Sequence, residues 1–158
     1  MLGVLNKEEI EDLLTNGSLG RIGCSSKRTT YIVPVNYVYD GKAVIAHSVE
    51  GSKIFMMREN PNVCFEVEEI VNNQNWKSVI AWGTYHEITD EHERYEAMKL
   101  FVNRIMKLKV STTAHPPELS EERLNQRSNS VRAVIYRIIL HEKTGRFEQE
   151  SQASPITN

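Results

Sequence analysis

The dipeptide Asp40-Gly41, set between two runs of strand-forming residues, does most to limit what this chain can become. Both residues tolerate the positive φ that tight hairpin turns demand, so Thr30 to Tyr39 and Lys42 to His47 are predicted to pair antiparallel. Gly20 to Ser25 precedes them across the polar turn Ser26-Lys27-Arg28. Val63 to Ile70 alternates Val63, Phe65 and Val67 against Cys64, Glu66 and Glu68, the period of a strand with one wet face. The loop Asn72-Asn73-Gln74-Asn75 leads to a long strand from Trp76 to Ile88, and Val131 to Glu142 reads as the last strand. Hairpin-length connections favour an antiparallel sheet, and about six such strands are enough to curl into a barrel. Strands do not alternate with helices, and no GxGxxG follows a strand, which argues against a doubly wound dinucleotide fold. The predicted class is mainly β: a barrel of six to seven antiparallel strands with flanking helices.

Three helices are expected around it. Asn6 to Asn16 carries Asn6 as cap, Glu9 in the capping-box position, and Leu5 with Ile10 as hydrophobic staple. Its apolar stripe is Ile10, Leu13 and Leu14, and Asn16-Gly17 supplies the stop. Gly51 to Asn60 reads as a short helix ended by Pro61. Asp90 caps a third, with Glu93 in the box position and Tyr95, Met98, Phe101, Val102, Ile105 and Leu108 as its stripe. Thr112 to Ser130 is polar, contains Pro116-Pro117 and is expected to run over the surface. At 158 residues the chain suits a single domain, assigned to residues 1–147, with 148–158 a polar tail expected to be disordered.

Composition narrows the partners. A net charge of −2, with bases scattered among acids, lacks the concentrated basic face of a nucleic-acid or membrane-surface binder. No apolar run has the length of a membrane span, and the amino-terminal stretch is too short for a secretory signal, so a cytoplasmic location is the default expectation. Cys24 and Cys64 lack metal-ligand or CxxC spacing and read as reduced, partly buried thiols. His86, His92, His115 and His141 share no metal-binding spacing. GxSxG, HExxH and Walker signatures are absent.

The stretch with chemical content is Ala46-His47-Ser48-Val49-Glu50-Gly51-Ser52-Lys53. A strand ends at His47, small residues open a helix, and Lys53 falls in its first turn. Free N–H groups, the positive end of the helix dipole, hydroxyls and an ammonium together suit an anion. The same residues also suit an ordinary helix entry with a solvated lysine. Upstream, Val33-Pro34-Val35-Asn36-Tyr37 offers extended backbone from which Pro34 removes one donor, marking an edge, a bulge or a ligand's place. A planar heterocycle could pair with such an edge, although an edge proline needs no ligand. Trp76 can stack on a ring or pack in the sheet; Trp82 reads as sheet packing, Met56 and Met57 as core filling, and Tyr31, Tyr37 and Tyr39 as one strand face.

These pieces resemble a known family. Gly20-Arg21-Ile22-Gly23, Val33 to Tyr37, His47-Ser48, Gly51-Ser52-Lys53 and Asn60-Pro61-Asn62-Val63-Cys64-Phe65 occur in the order found in the pyridoxamine 5'-phosphate oxidase-like FMN-binding split barrels. Trp76-Lys77-Ser78-Val79 and Trp82-Gly83-Thr84-Tyr85 continue the likeness, which is nearest the nitroimidazole-resistance branch and runs from about Gly17 to about Arg146. The resemblance implies a split β-barrel binding FMN noncovalently at the interface of a homodimer. It implies a phosphate site at His47, Ser48, Gly51 and Lys53, and an isoalloxazine edge along Val33, Pro34, Val35, Asn36 and Tyr37. A second chain would close the site with Trp76, Ser78 and Val79. His47 is the candidate for catalysis, since imidazole can donate to phosphate or carry a proton near neutral pH. The carboxy-terminal Trp- and Arg-bearing segment of the true oxidases has no counterpart in Thr144 to Glu150, so vitamin B6 oxidation is not expected. The function implied is an FMN-dependent oxidoreductase reducing a small, electron-poor substrate. The alternatives are a flavin-binding or sensing protein without turnover, and a split barrel using haem or a deazaflavin.

Overall fold

The chain runs β1 (Leu2–Val4), α1 (Lys7–Asn16), β2 (Leu19–Ser26), β3 (Thr29–Asn36), β4 (Val38–Tyr39), β5 (Ala43–Ser48), α2 (Ser52–Glu59), β6 (Asn62–Asn72), β7 (Asn75–Glu87), α3 (Glu91–Ile105) and β8 (Val134–Glu148). The structure is a computed structural model that describes residues 1–108 and 132–150; Val131, the expectation for Thr112 to Ser130 and the end of the predicted tail lie outside the described residues.

All strand pairs are antiparallel, in the order β3-β2-β6-β7-β8-β5-β4 with β1 added to β8. Among the described residues eight strands form where six to seven were predicted, for two local reasons. Leu2–Val4 is too short to show periodicity, yet it registers with Arg146 to Glu148. The long run Thr30 to Tyr39 divides at Tyr37 into β3 and β4, which pair with different strands. The last strand also reaches Glu148 rather than Glu142, because β7 supplies partners for it from Glu142 through to Glu148.

The predicted turn between β4 and β5 forms, but its two residues act differently. Only Gly41 takes a positive φ, 95°. Asp40 contributes its side chain, accepting from the N–H groups of Lys42 at 2.8 Å and Ala43 at 2.7 Å.

The apolar pattern builds two cores on opposite faces of the sheet. Inside the barrel lie Leu14, Ile22, Phe65, Val67, Val79, Tyr136 and Ile138. Outside it, Val38, Ile45, Ile88 and Ile135 pack under Ala97, Phe101 and Ile105 of α3. Strand β5 is therefore apolar on both faces, with Val44 and Ala46 inward and Ile45 toward α3, as its unbroken Ala-Val-Ile-Ala run requires. Tyr95, expected in the α3 stripe, is 64% exposed. It precedes the buried Ala97 by two positions, about 200° around the helix, so the two cannot share a face.

Helix α1 closes the barrel interior with Ile10, Leu13 and Leu14, and its Asn6–Glu9 capping box is formed in both directions. Leu5 and Ile10, the predicted staple, are both buried in the interior core. Met57 is fully buried and Met56 packs against the same cluster, the gap-filling role expected of them. Among the described residues no helix is long and apolar enough to cross a membrane.

Strands β7 and β8 slip register between Trp82 and Gly83. A Cβ at Gly83 would stand 2.6 Å from both Ile138 Cγ2 and the Ile139 carbonyl oxygen. The irregularity thus brings backbone against backbone where only glycine fits. Gly83→Ala is expected to lower unfolding stability in urea by about 1–3 kcal/mol; an unchanged midpoint would mean that the bulge can absorb a methyl group.

Candidate functional site

The sheet is not closed by hydrogen bonds. Strands β3 and β4 stand at its two ends, and each has one strand partner among the described residues. The chain itself bridges them. Asn36 still registers with Leu19, the Tyr37 N–H donates to the Ser18 carbonyl at 3.0 Å, and the next residue, Val38, already faces Ile45 of β5. From this apex Val33–Asn36 follow β2, while His47 and Ser48 follow β8 opposite Ile135 and Val134. The sheet stays open between its two ends, and this split is bordered on one side by the main-chain edge of β3, which has no second strand partner among the described residues. Pro34 lies on that edge, exposed and opposite Arg21, where its missing N–H interrupts no ladder.

Across the split β5 turns into α2. Gly51 caps this helix in extended conformation, and no side chain accepts from its first turn among the described residues. The first N–H groups of α2 are therefore left for water or a ligand. Ser48 stands beside them, its hydroxyl donating to the Val49 carbonyl at 2.9 Å. Lys53, in the first turn, is largely buried, and among the described residues no carboxylate pairs with it. Burial pushes its ammonium below the ordinary lysine value, an effect the neighbouring Cys24 thiol partly opposes. Cys24 is itself pushed up by burial, with Lys53 opposing, and its Sγ points to the Tyr31 carbonyl at 3.8 Å. A half-desolvated cation next to unbonded helix N–H groups is costly when empty and well suited to an oxyanion.

The predicted site residues separate into groups. Val33 and Asn36 are half-buried along the edge, but the side chains of Val35 and Tyr37 point into the core, and the Tyr37 N–H is taken by Ser18. The His47 ring packs edge-on against Phe101, with centroids 4.8 Å apart and planes at 82°. That contact turns the imidazole toward α3, the face of β5 shared with Ile45. Trp76 donates its indole N–H to Glu148 at 3.0 Å, Ser78 donates to Glu66 at 3.0 Å, and Val79 is fully buried. Ser78 registers with Arg146 of β8 while Ser48 registers with Val134. The roughly twelve intervening residues span up to about 40 Å of strand. One chain does not bring Trp76, Ser78 and Val79 to Lys53.

Two arrangements were not read from the sequence. Arg58 reaches back from the last turn of α2 to Glu50, in the loop before it, and also to Glu87. On the outer sheet face Arg21 pairs with Glu66 at 3.1 Å and Glu68 at 2.8 Å, beside a groove of about 870 Å³ walled by Ile32, Cys64 and Trp82. Trp82 is 39% exposed there, and Ile80 and Ile139, elsewhere on β7 and β8, are 39% and 41% exposed. The alternation of β6 and β7 shows which residues face outward; only the pairing of β2 with β6 shows that Arg21 meets the acids.

Comparison with known proteins agrees with this architecture. The sequence pattern of the pyridoxamine 5'-phosphate oxidase family matches residues 6–147. The chain belongs to that family. It is 36% identical over 101 residues to an uncharacterized protein of Rhizobium meliloti, covering 61% of this chain and 67% of the relative. The fold matches the crystal structure of a FAD-binding protein from Mesorhizobium loti with TM-score 0.71 and 25% identity, covering 94% and 99% of the two chains. It also matches a Bacteroides thetaiotaomicron protein assigned to 5-nitroimidazole antibiotic resistance, with TM-score 0.66, 21% identity, and 93% and 87% coverage. That second likeness is one of fold.

Because the folded state depresses the Lys53 pKa, the cost of burying its charge is fully present below the depressed value and is relieved as pH rises above it. Lys53→Met is therefore expected to stabilise the ligand-free protein at neutral pH by about 1 kcal/mol in urea unfolding. A loss of stability instead would show that the ammonium is well solvated.

Proposed function

We propose that this family member is a flavoprotein that binds FMN in the split, its phosphate held where β5 gives way to α2. The observation that carries this reading is the uncapped α2 amino terminus beside a half-buried Lys53 that has no carboxylate partner among the described residues. First-turn N–H groups, the Ser48 hydroxyl and one ammonium suit a single phosphate monoester. The Mesorhizobium loti relative, named as FAD-binding, supports a flavin. On the other side of the split, the β3 edge from Val33 to Asn36 presents its outward main-chain donors and acceptors to the rim of a planar ring system; Pro34 has no N–H to offer, and that of Tyr37 is already bonded to the Ser18 carbonyl.

The working unit in this reading is a homodimer. The separation along β8 between Ser48 and Ser78 favours a role for Trp76 and Ser78 from a second copy, whereas Val79 stays buried in its own barrel and serves only to hold that strand. The apolar residues Ile80, Trp82 and Ile139 on the outer face of β7 and β8 are the surface it would cover. Bound flavin supplies two-electron redox chemistry, and the reaction proposed is reduction of a small, electron-poor substrate in the cytoplasm. The chain's own residues bind the phosphate, align the ring and exclude water. His47, steadied by Phe101, stands at the strand end as the residue able to exchange a proton. A second reading, flavin binding without turnover, is favoured by that same contact, which ties the imidazole to packing against α3.

Titration of apo-protein is expected to show FMN binding at least about tenfold tighter than riboflavin, which lacks the phosphate. Lys53→Met should weaken FMN by about 1.5–3 kcal/mol and leave riboflavin unaffected. Phosphate binding favours the charged lysine, so FMN affinity should fall as pH rises toward the ordinary lysine range, and this fall should vanish in Lys53→Met. Equal affinity for the two flavins would remove the phosphate from α2. Sedimentation should find flavin only on dimers; a flavin-loaded monomer would contradict the shared site.

A further inference from the structure

Glu50 poses a problem for any anion bound at α2. It stands one residue before the Gly51 cap, where a carboxylate can accept from the first-turn N–H groups and repel a phosphate. The structure holds it elsewhere. Both Glu50 oxygens accept from Arg58, Nη1 to Oε2 and Nη2 to Oε1, each at 2.8 Å. Arg58 lies in the last turn of the same helix, so the entry loop is folded back along α2 and tied to its far end. The guanidinium is itself fixed from the barrel: Nε and Nη2 donate to the two oxygens of Glu87, each at 2.8 Å, and Glu87 also accepts from the Tyr85 hydroxyl at 3.1 Å.

Four charge-assisted bonds to one planar group determine where Glu50 sits relative to strand β7. Each pair is partly exposed, with side-chain exposures of 36% for Arg58, 47% for Glu50 and 28% for Glu87, so their worth as stabilising ion pairs is small. Their consequence is geometric. We infer that Arg58 is a positioning residue of the phosphate site: it withdraws the Glu50 carboxylate from the α2 amino terminus and leaves those N–H groups to the ligand. This rests on the FMN reading above and deepens it. Lysine cannot replace the two-pronged grip on both acids, which accounts for arginine at this position.

The test compares FMN with riboflavin on full-length apo wild type, Arg58→Ala, Glu50→Gln and the double variant, by fluorescence titration. Arg58→Ala should bind FMN about tenfold more weakly while riboflavin affinity stays unchanged. Glu50→Gln alone should bind FMN as wild type does. Adding Glu50→Gln to Arg58→Ala should restore FMN affinity to within about threefold of wild type, because the released side chain then carries no charge. Should Arg58→Ala fold poorly, Arg58→Gln carries the same comparison. Wild-type FMN affinity in the Arg58 variant, an equal loss for riboflavin, or a double variant as weak as the single one would each overturn the inference while leaving the Lys53 result standing. Wild type that does not distinguish the two flavins would instead remove the phosphate reading, and this inference with it.

Discussion

Everything about this barrel turns on the step from Asn36 to Val38, where the backbone leaves one sheet edge and joins the other. Tyr37 fixes the step in three directions. Its N–H holds to Ser18, its hydroxyl donates to the Leu14 carbonyl at 2.7 Å, and its ring meets Phe65 edge-on at 4.8 Å. The phenol is buried and its pKa is pushed well above the usual tyrosine value, chiefly by desolvation, so it stays a neutral donor at any physiological pH. A barrel closed by a continuous ladder would have no free main chain to offer. Closure through the chain leaves β3 with an open edge and β5 with an end that runs directly into a helix.

The site is built from what that topology leaves unsatisfied. An edge strand ordinarily invites aggregation, and here Pro34 and the neighbouring split limit what can pair with it. An uncapped helix beside a desolvated lysine lowers the stability of the empty protein, a cost that an anion removes. Arg58 extends the same logic by holding a nearby carboxylate away. On the proposed reading, stability and binding pull in opposite directions at Lys53.

The architecture was legible wherever local chemistry and global pairing agree. Asp40-Gly41, the Asn6–Glu9 box and the alternation of β6 each specify their element within a few residues. Three features escaped because they are set by distant partners. Leu2–Val4 becomes a strand only because β8 extends to meet it. The break at Tyr37 follows from a change of neighbour that periodicity does not record. Tyr95 fits an apolar stripe by residue type alone, but its place two positions before Ala97 turns it to the exposed side of α3. At the site, the helix entry at Ser52 and the position of Lys53 were visible in the sequence. The edge contact of His47 with Phe101, and the grip of Arg58 on Glu50 and Glu87, join residues 29 to 54 positions apart or across an entire helix, and no motif spacing encodes them.

A crystal structure of the protein grown with FMN measures the central claim directly. The account predicts phosphate density within hydrogen-bond distance of the Ser52–Ile54 N–H groups and the Lys53 ammonium, with the ring system along Val33–Tyr37. Flavin phosphate bound elsewhere, out of reach of the Lys53 ammonium, would contradict it.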